Sequence, residues 1–205
     1  MEIVTSHWKR TLEMQVWSLG TDYSLIRVVA PPKEAGTATL RARDQLWNYL
    51  PRVDRTIKIP PSLIMSSWMG SHFTYDDLVK ETRLIEDYDV AVGFEGDRAG
   101  VAVWEFVLTP KEEAPVVWGR IEEQVRKNDL MPTWIRYYNE RGHEVRALTF
   151  GDYRTRGGRL VPVTLTMRPT DEADESTVVR YKELAFDTPI NPSFFSLQQL
   201  RGSGR

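Results

Sequence analysis

Apolar and polar residues alternate with a period of two through most of this chain, which predicts strands rather than helices, because successive side chains of a strand point to opposite faces. Leu12, Met14 and Val16 alternate with Glu13 and Gln15 before the turn signal Leu19-Gly20-Thr21-Asp22. Tyr23 to Ala30 is apolar on both faces and stops at Pro31-Pro32. Gln45 to Leu50 and Arg52 to Ile59 predict the next pair of strands, broken by Pro51. Further along, Arg83 to Phe94 and Ala99 to Leu108 flank the hairpin signal Glu95-Gly96-Asp97-Arg98. Thr133 to Asn139 and Glu144 to Phe150 flank Arg141-Gly142, Leu160 to Met167 follows Arg156-Gly157-Gly158, and Thr177 to Ala185 follows an acidic loop. Hairpin-sized gaps make neighbouring strands antiparallel, since parallel pairs need long crossovers. Long strands in one meander favour a single large curved sheet and a single domain over residues 1–205.

Three stretches depart from that period. Pro60 to Lys80 carries Pro60-Pro61, an apolar cluster with Trp68 and Met69, a Gly70-Ser71 break and then Thr74-Tyr75-Asp76-Asp77-Leu78, which predicts a short helix capped near Thr74. Asn191-Pro192 places a cap and a first helical residue, so 192–200 reads as a closing helical turn or two. Val116 to Lys127 fits either period, with Val117, Ile121 and Val125 at helical spacing and Trp118, Arg120, Glu122, Gln124 and Arg126 as a polar strand face; Asn128-Asp129 tips it to a strand.

Composition narrows the function classes. A net charge of −2 leaves no basic excess for phosphate contacts, which argues against a nucleic-acid partner. There is no cysteine, hence no disulfide, thiolate nucleophile or thiolate metal site. No apolar run approaches the roughly 20 residues that span a bilayer. No G-x-S-x-G, P-loop or dinucleotide fingerprint occurs. Of three histidines only His72 has acidic company, Asp76 and Asp77, and these serve more naturally as negative charge in a first helical turn. Glu112-Glu113 and Glu122-Glu123 read as solvated surface. The expectation is a non-enzyme without a cofactor or a metal.

Aromatic residues are abundant at 11%, and strands such as Leu25–Val29 and Val101–Phe106 are apolar on both faces. A sheet with one wet face does not need that. Helices, a partner or a ligand must cover the second face, and the Trp68-Met69 segment, mobile through Gly70, suits a lid. Trp47, Trp68, Met69, Phe73 and Trp104 are the candidate contacts of an apolar ligand, chosen for apolar character near that lid.

The string Met69-Gly70-Ser71-His72-Phe73-Thr74-Tyr75-Asp76-Asp77-Leu78 is the most specific part of a wider resemblance. With Pro31-Pro32-Lys33-Glu34-Ala35-Gly36-Thr37 leading into a strand, Leu46-Trp47-Asn48-Tyr49-Leu50-Pro51, Met131-Pro132-Thr133-Trp134 and Phe150-Gly151-Asp152-Tyr153, the chain resembles the outer membrane lipoprotein-sorting protein family, a branch of the LolA/LolB-like periplasmic carriers. The resemblance implies a mainly β fold: a curved antiparallel sheet forming an unclosed half β-barrel, with short helices on its concave face. It implies periplasmic carriage of lipoprotein acyl chains or another lipid-like hydrophobe in lipoprotein sorting or lipid export, with an inner-membrane transporter as a partner. The alternative is a non-catalytic interaction module of an envelope transporter complex. It also implies that a signal peptide, an N-terminal helix and one more strand precede the region beginning near Trp8; the sequence carries none of them.

Overall fold

The period-two pattern is realised as strands, and the apolar interruptions as short helical turns. The structure, a computed structural model, describes residues 1–80, 84–114 and 116–202. In chain order the strands are β1 (Glu2–Val4), β2 (Lys9–Thr11), β3 (Glu13–Leu19), β4 (Tyr23–Ala30), β5 (Ala38–Ala42), β6 (Gln45–Leu50) and β7 (Arg55–Lys58). Helices α1 (Asp77–Lys80) and α2 (Leu84–Asp87) follow. Then come β8 (Tyr88–Arg98), β9 (Val101–Pro110), β10 (Arg120–Arg126), β11 (Pro132–Tyr138), β12 (Glu144–Arg156), β13 (Arg159–Pro169), β14 (Ser176–Arg180) and α3 (Leu197–Arg201). The expected mainly β, antiparallel and unclosed architecture is present, distributed over two sheets that both keep open edges. Two compact units divide the chain: Met1–Glu2, Lys9–Thr82 and Asp187–Arg205 form the first, Ile3–Trp8 and Arg83–Phe186 the second.

In the first unit β3 to β7 pair in chain order, and alternation sends apolar residues to both sides. On one side Leu25, Ala38 and Leu40 pack with Phe195 and Leu200, joined by Trp17, Trp47 and Phe194. The tail is fixed there by its caps: the Asn191 side chain accepts from Ser193 N, and the Ser196 side chain accepts from Gln199 N. The Arg27 guanidinium donates to the Gln199 carbonyl at the end of α3, where cations meet unsatisfied helix carbonyls.

The other side of this sheet is covered by Pro60–Lys80. Trp68 is 4% exposed in a cluster with Ile26, Leu46 and Tyr75, with Met14, Ile64, Met69, Phe73 and Leu78 around it. A polar chain crosses the cluster: Trp68 Nε1 donates to Thr39 Oγ1 (3.1 Å), Thr39 donates to Asn48 Oδ1 (2.8 Å), and Asn48 Nδ2 donates to the Tyr75 hydroxyl. The segment also binds itself, with Trp68 N donating to the Phe73 carbonyl (2.8 Å) and Asp76 N to the Ile64 carbonyl (2.8 Å). The segment expected to act as a mobile lid is therefore fastened to the sheet as part of the core. Thr74 caps α1 as expected: its backbone N–H and hydroxyl donate to Asp77 Oδ2 (2.7 and 3.0 Å), while Asp77 N donates to Thr74 Oγ1 (3.3 Å).

The second unit carries β8 to β14 as an antiparallel meander in which each strand pairs with its chain neighbour. Residues 120–126 are a strand, settling the ambiguity of 116–127. Several limits differ from the pattern. Leu84–Asp87 is helical, so the strand predicted from Arg83 starts at Tyr88; Arg83 itself lies outside the described residues. Glu95–Arg98 is strand, not turn, and the reversal falls at Ala99-Gly100, both at positive φ (53° and 84°), as a two-residue hairpin demands. β12 runs on to Arg156, and β14 stops at Arg180, short of Ala185.

If Trp68 carries the core of the first unit, W68A lowers the free energy of unfolding by about 3–5 kcal/mol, the usual cost of emptying a buried aromatic site. V16S, at a position 55% exposed on the same sheet, changes it by less than about 0.5 kcal/mol. Urea unfolding of both variants checks this, and equal midpoints would contradict it.

Candidate functional site

Residues directly opposite one another in adjacent strands share a face of the sheet. Following the register across the second unit, Val92, Phe106, Glu123, Ile135, Leu148, Met167 and Thr177 stand opposite one another in succession from β8 to β14. The adjacent row on the same face is Val90, Leu108, Ile121, Tyr137, Arg146 and Pro169. Trp104 and Val125 begin the row on the other side. The face is thus apolar apart from Glu123, Arg146 and Thr177. Its exposure is graded: Met167 and Thr177 are fully buried, Phe106 and Ile135 are half-buried, while Val90 and Val92 are 49% and 56% exposed.

The opposite face mixes charged groups with Val103, Val107 and Trp134, and Val103 is buried. Arg98 binds Glu105 through two hydrogen bonds (2.8 and 2.9 Å), and Gln124 donates to the same carboxylate (2.9 Å). The Tyr138 hydroxyl donates to Glu122 (2.8 Å), beneath the Arg120 guanidinium, 4.0 Å from the ring. These contacts hold the Glu105 carboxyl below its ordinary range, chiefly through Arg98, and burial pushes the Tyr138 phenol up.

Polar groups on the apolar face sit at its ends, with one exception. Arg146 is buried, its guanidinium 4.7 Å from the Trp118 ring and 4.5 Å from the Tyr137 ring. Lys127 pairs with Glu95 (2.5 Å) and lies 5.1 Å from the Trp104 ring. The exception is Glu123 in the middle row, between Phe106 and Ile135, with Ile121 and Val125 two residues away along its own strand. Among the described residues its carboxylate makes no hydrogen bond or ion pair, and burial alone raises its pKa. The reading of Glu122-Glu123 as solvated surface is corrected here: alternation sends Glu122 to the charged face and Glu123 to the apolar one.

The sequence-predicted contacts are dispersed. Trp104 lies on the apolar strip of the second unit. Trp68, Met69 and Phe73 come together in the first unit, in the cluster over Ile26 and Leu46, and Trp47 packs on the opposite face of that sheet. His72 is half-buried and Asp76 buried in the same fastened segment. The reading from sequence missed Val92, Phe106, Glu123 and Ile135. The signal was there: Ile121, Glu123 and Val125 alternate with Glu122, Gln124 and Arg126.

No curated protein matches this sequence. A protein-family model described as "Uncharacterized protein" matches residues 20–202. Among solved structures, a domain from Vibrio parahaemolyticus described as a candidate outer membrane lipoprotein-sorting protein domain superposes with a TM-score of 0.85 at 22% identity, covering 98% of this chain and 88% of the other. A DUF1329 family protein from Desulfovibrio piger gives 0.85 at 23% identity, covering 97% and 88%. A LolA superfamily protein from Nitrosomonas europaea gives 0.78 at 17%, covering 96% and 87%. At these identities the likeness is one of fold, the same fold that the sequence resemblance implies.

A carboxyl whose pKa is raised by folding binds its proton more tightly in the folded chain. Its contribution to stability is complete below the unfolded carboxylate pKa and is lost as pH rises through the folded value. E123Q should therefore be more stable than the wild type at pH 8, with the difference shrinking towards pH 4. Urea midpoints at the two pH values measure this; a difference independent of pH would refute the burial of an unpaired acid.

Proposed function

Because the chain belongs to the family whose model spans residues 20–202 and has the fold of LolA-superfamily structures, we propose that it is a non-enzymatic periplasmic carrier of lipid-like hydrophobes. Residues 1–205 serve as a single carrier domain in this reading. The ligand is a lipoprotein acyl chain or a related lipid, lying on the apolar face of β8–β14 with Trp104 among its contacts. The observation that carries the reading is the graded strip, whose aliphatic and aromatic side chains lose their cover towards β8. Covering such a strip with an acyl chain contributes about 0.8 kcal/mol per methylene, so affinity needs little polar chemistry. The names of two fold relatives, a lipoprotein-sorting domain and a LolA superfamily protein, agree with that ligand class. Among the described residues no helix is long and apolar enough to cross a membrane. An inner-membrane transporter is the partner in this reading.

The purified protein should bind a fluorescent acyl probe and carry lipid adducts in native mass spectrometry. V92D introduces a charge at an exposed point of the strip and should weaken the probe about tenfold, equivalent to about 1.4 kcal/mol. V16D, on the first unit's edge strand, should leave binding unchanged. Absence of any acyl binding, or equal loss in both variants, overturns the proposal.

A further inference from the structure

Glu123 is an anomaly that the carrier reading does not explain. A strip meant only for hydrocarbon would be served better by leucine or valine at this position, as at Ile121 and Val125 on the same strand face. A carboxylate among apolar neighbours is unfavourable unless something compensates it. Its direct neighbours supply nothing: Phe106 stands opposite on β9 and Ile135 on β11. The nearby charges of this face are already engaged, Arg146 against the Trp118 and Tyr137 rings and Lys127 with Glu95. Glu123 is half-buried and keeps part of its surface accessible.

We infer that Glu123 is a specificity-determining anchor, and that the carried hydrophobe presents an N–H donor and no anionic group at the level of the Phe106–Glu123–Ile135 row. This rests on the carrier reading and narrows it. An ammonium or amide N–H placed against the carboxylate supplies the hydrogen bond that the protein withholds, in a setting where a charge-assisted bond is strong. A free carboxylate there would face a like charge in an apolar setting. The ligand class is accordingly an amine-bearing lipid or an amide-linked acyl chain, and free fatty acid anions are rejected.

The test uses three amphiphiles of equal chain length, dodecylammonium, dodecanamide and dodecanoate, each displacing a fluorescent acyl probe at pH 8 from the wild type and from E123Q. The wild type should bind dodecylammonium, dodecanamide or both at least about tenfold more tightly than dodecanoate, a difference of about 1.4 kcal/mol or more. In E123Q, whose fold is checked by circular dichroism, that ratio should fall to within about twofold. E123L, which also lacks the charge, should lose the ratio in the same way. Preference for dodecylammonium alone assigns a charged amine, and parity with dodecanamide assigns an amide linkage. A ratio unchanged in both variants, or a wild type that favours dodecanoate, overturns the inference while leaving the carrier reading intact. No displacement by any of the three, with no probe binding, overturns both.

Discussion

Register is the constraint on which the second unit's chemistry depends. Side chains alternate strictly along each strand, so a slip of one residue between β9 and β10 would move Ile121, Glu123 and Val125 to the charged face and Glu122, Gln124 and Arg126 to the apolar one. The charged face guards against that slip, because its contacts bridge strands at fixed offsets: Gln124 to Glu105 between β10 and β9, and Tyr138 to Glu122 between β11 and β10. Hydrogen bonding on one face thereby aligns the apolar row on the other. Gln124 and Tyr138 are buried, and a hydrogen bond to a charged acceptor contributes about 1.5–3 kcal/mol. These contacts also select one alignment among several that hydrophobicity alone would tolerate.

The two sheets use their apolar faces differently. In the first unit both faces are covered by the chain's own segments, Phe194–Leu200 on one and Pro60–Lys80 on the other. The Trp68–Thr39–Asn48–Tyr75 chain shows how firmly: these four side chains are linked by hydrogen bonds across that core. In the second unit the strip is buried at Met167 and Thr177, yet Val90 and Val92 keep about half their surface. Exposed aliphatic side chains in a row are costly to leave wet, and such rows mark surfaces that meet other molecules.

Much of the fold was legible because its signals are local. Tyr23–Ala30 and Gln45–Leu50 are strands with the predicted limits, and the caps at Thr74 and Asn191 form where their residue types place them. Errors gathered where local signals compete. Glu95-Gly96-Asp97-Arg98 has turn composition, but the pairing of β8 with β9 carries it through as strand, and the bulge near Val92–Phe94 absorbs the irregularity. The site was less legible. Trp47, Trp68, Met69 and Phe73 drew attention as large apolar groups, a property that also makes them good filling for the first unit's core. Whether an aromatic residue fills or lines is decided by which distant segment lies over it, and a sequence does not state that.

Glu123 shows the complementary error. Adjacent acidic residues suggest a solvated surface when read as composition, yet read with a period of two they separate, one to water and one to hydrocarbon. The separation changes what each carboxylate can do. Glu122 accepts a hydrogen bond from Tyr138 and its charge is answered by Arg120 at 3.1 Å. Glu123 has apolar groups on every side and keeps its capacity for a partner unspent. A charge without a partner among the described residues, on an apolar face that is partly uncovered, is better explained by what the protein holds than by what holds the protein together.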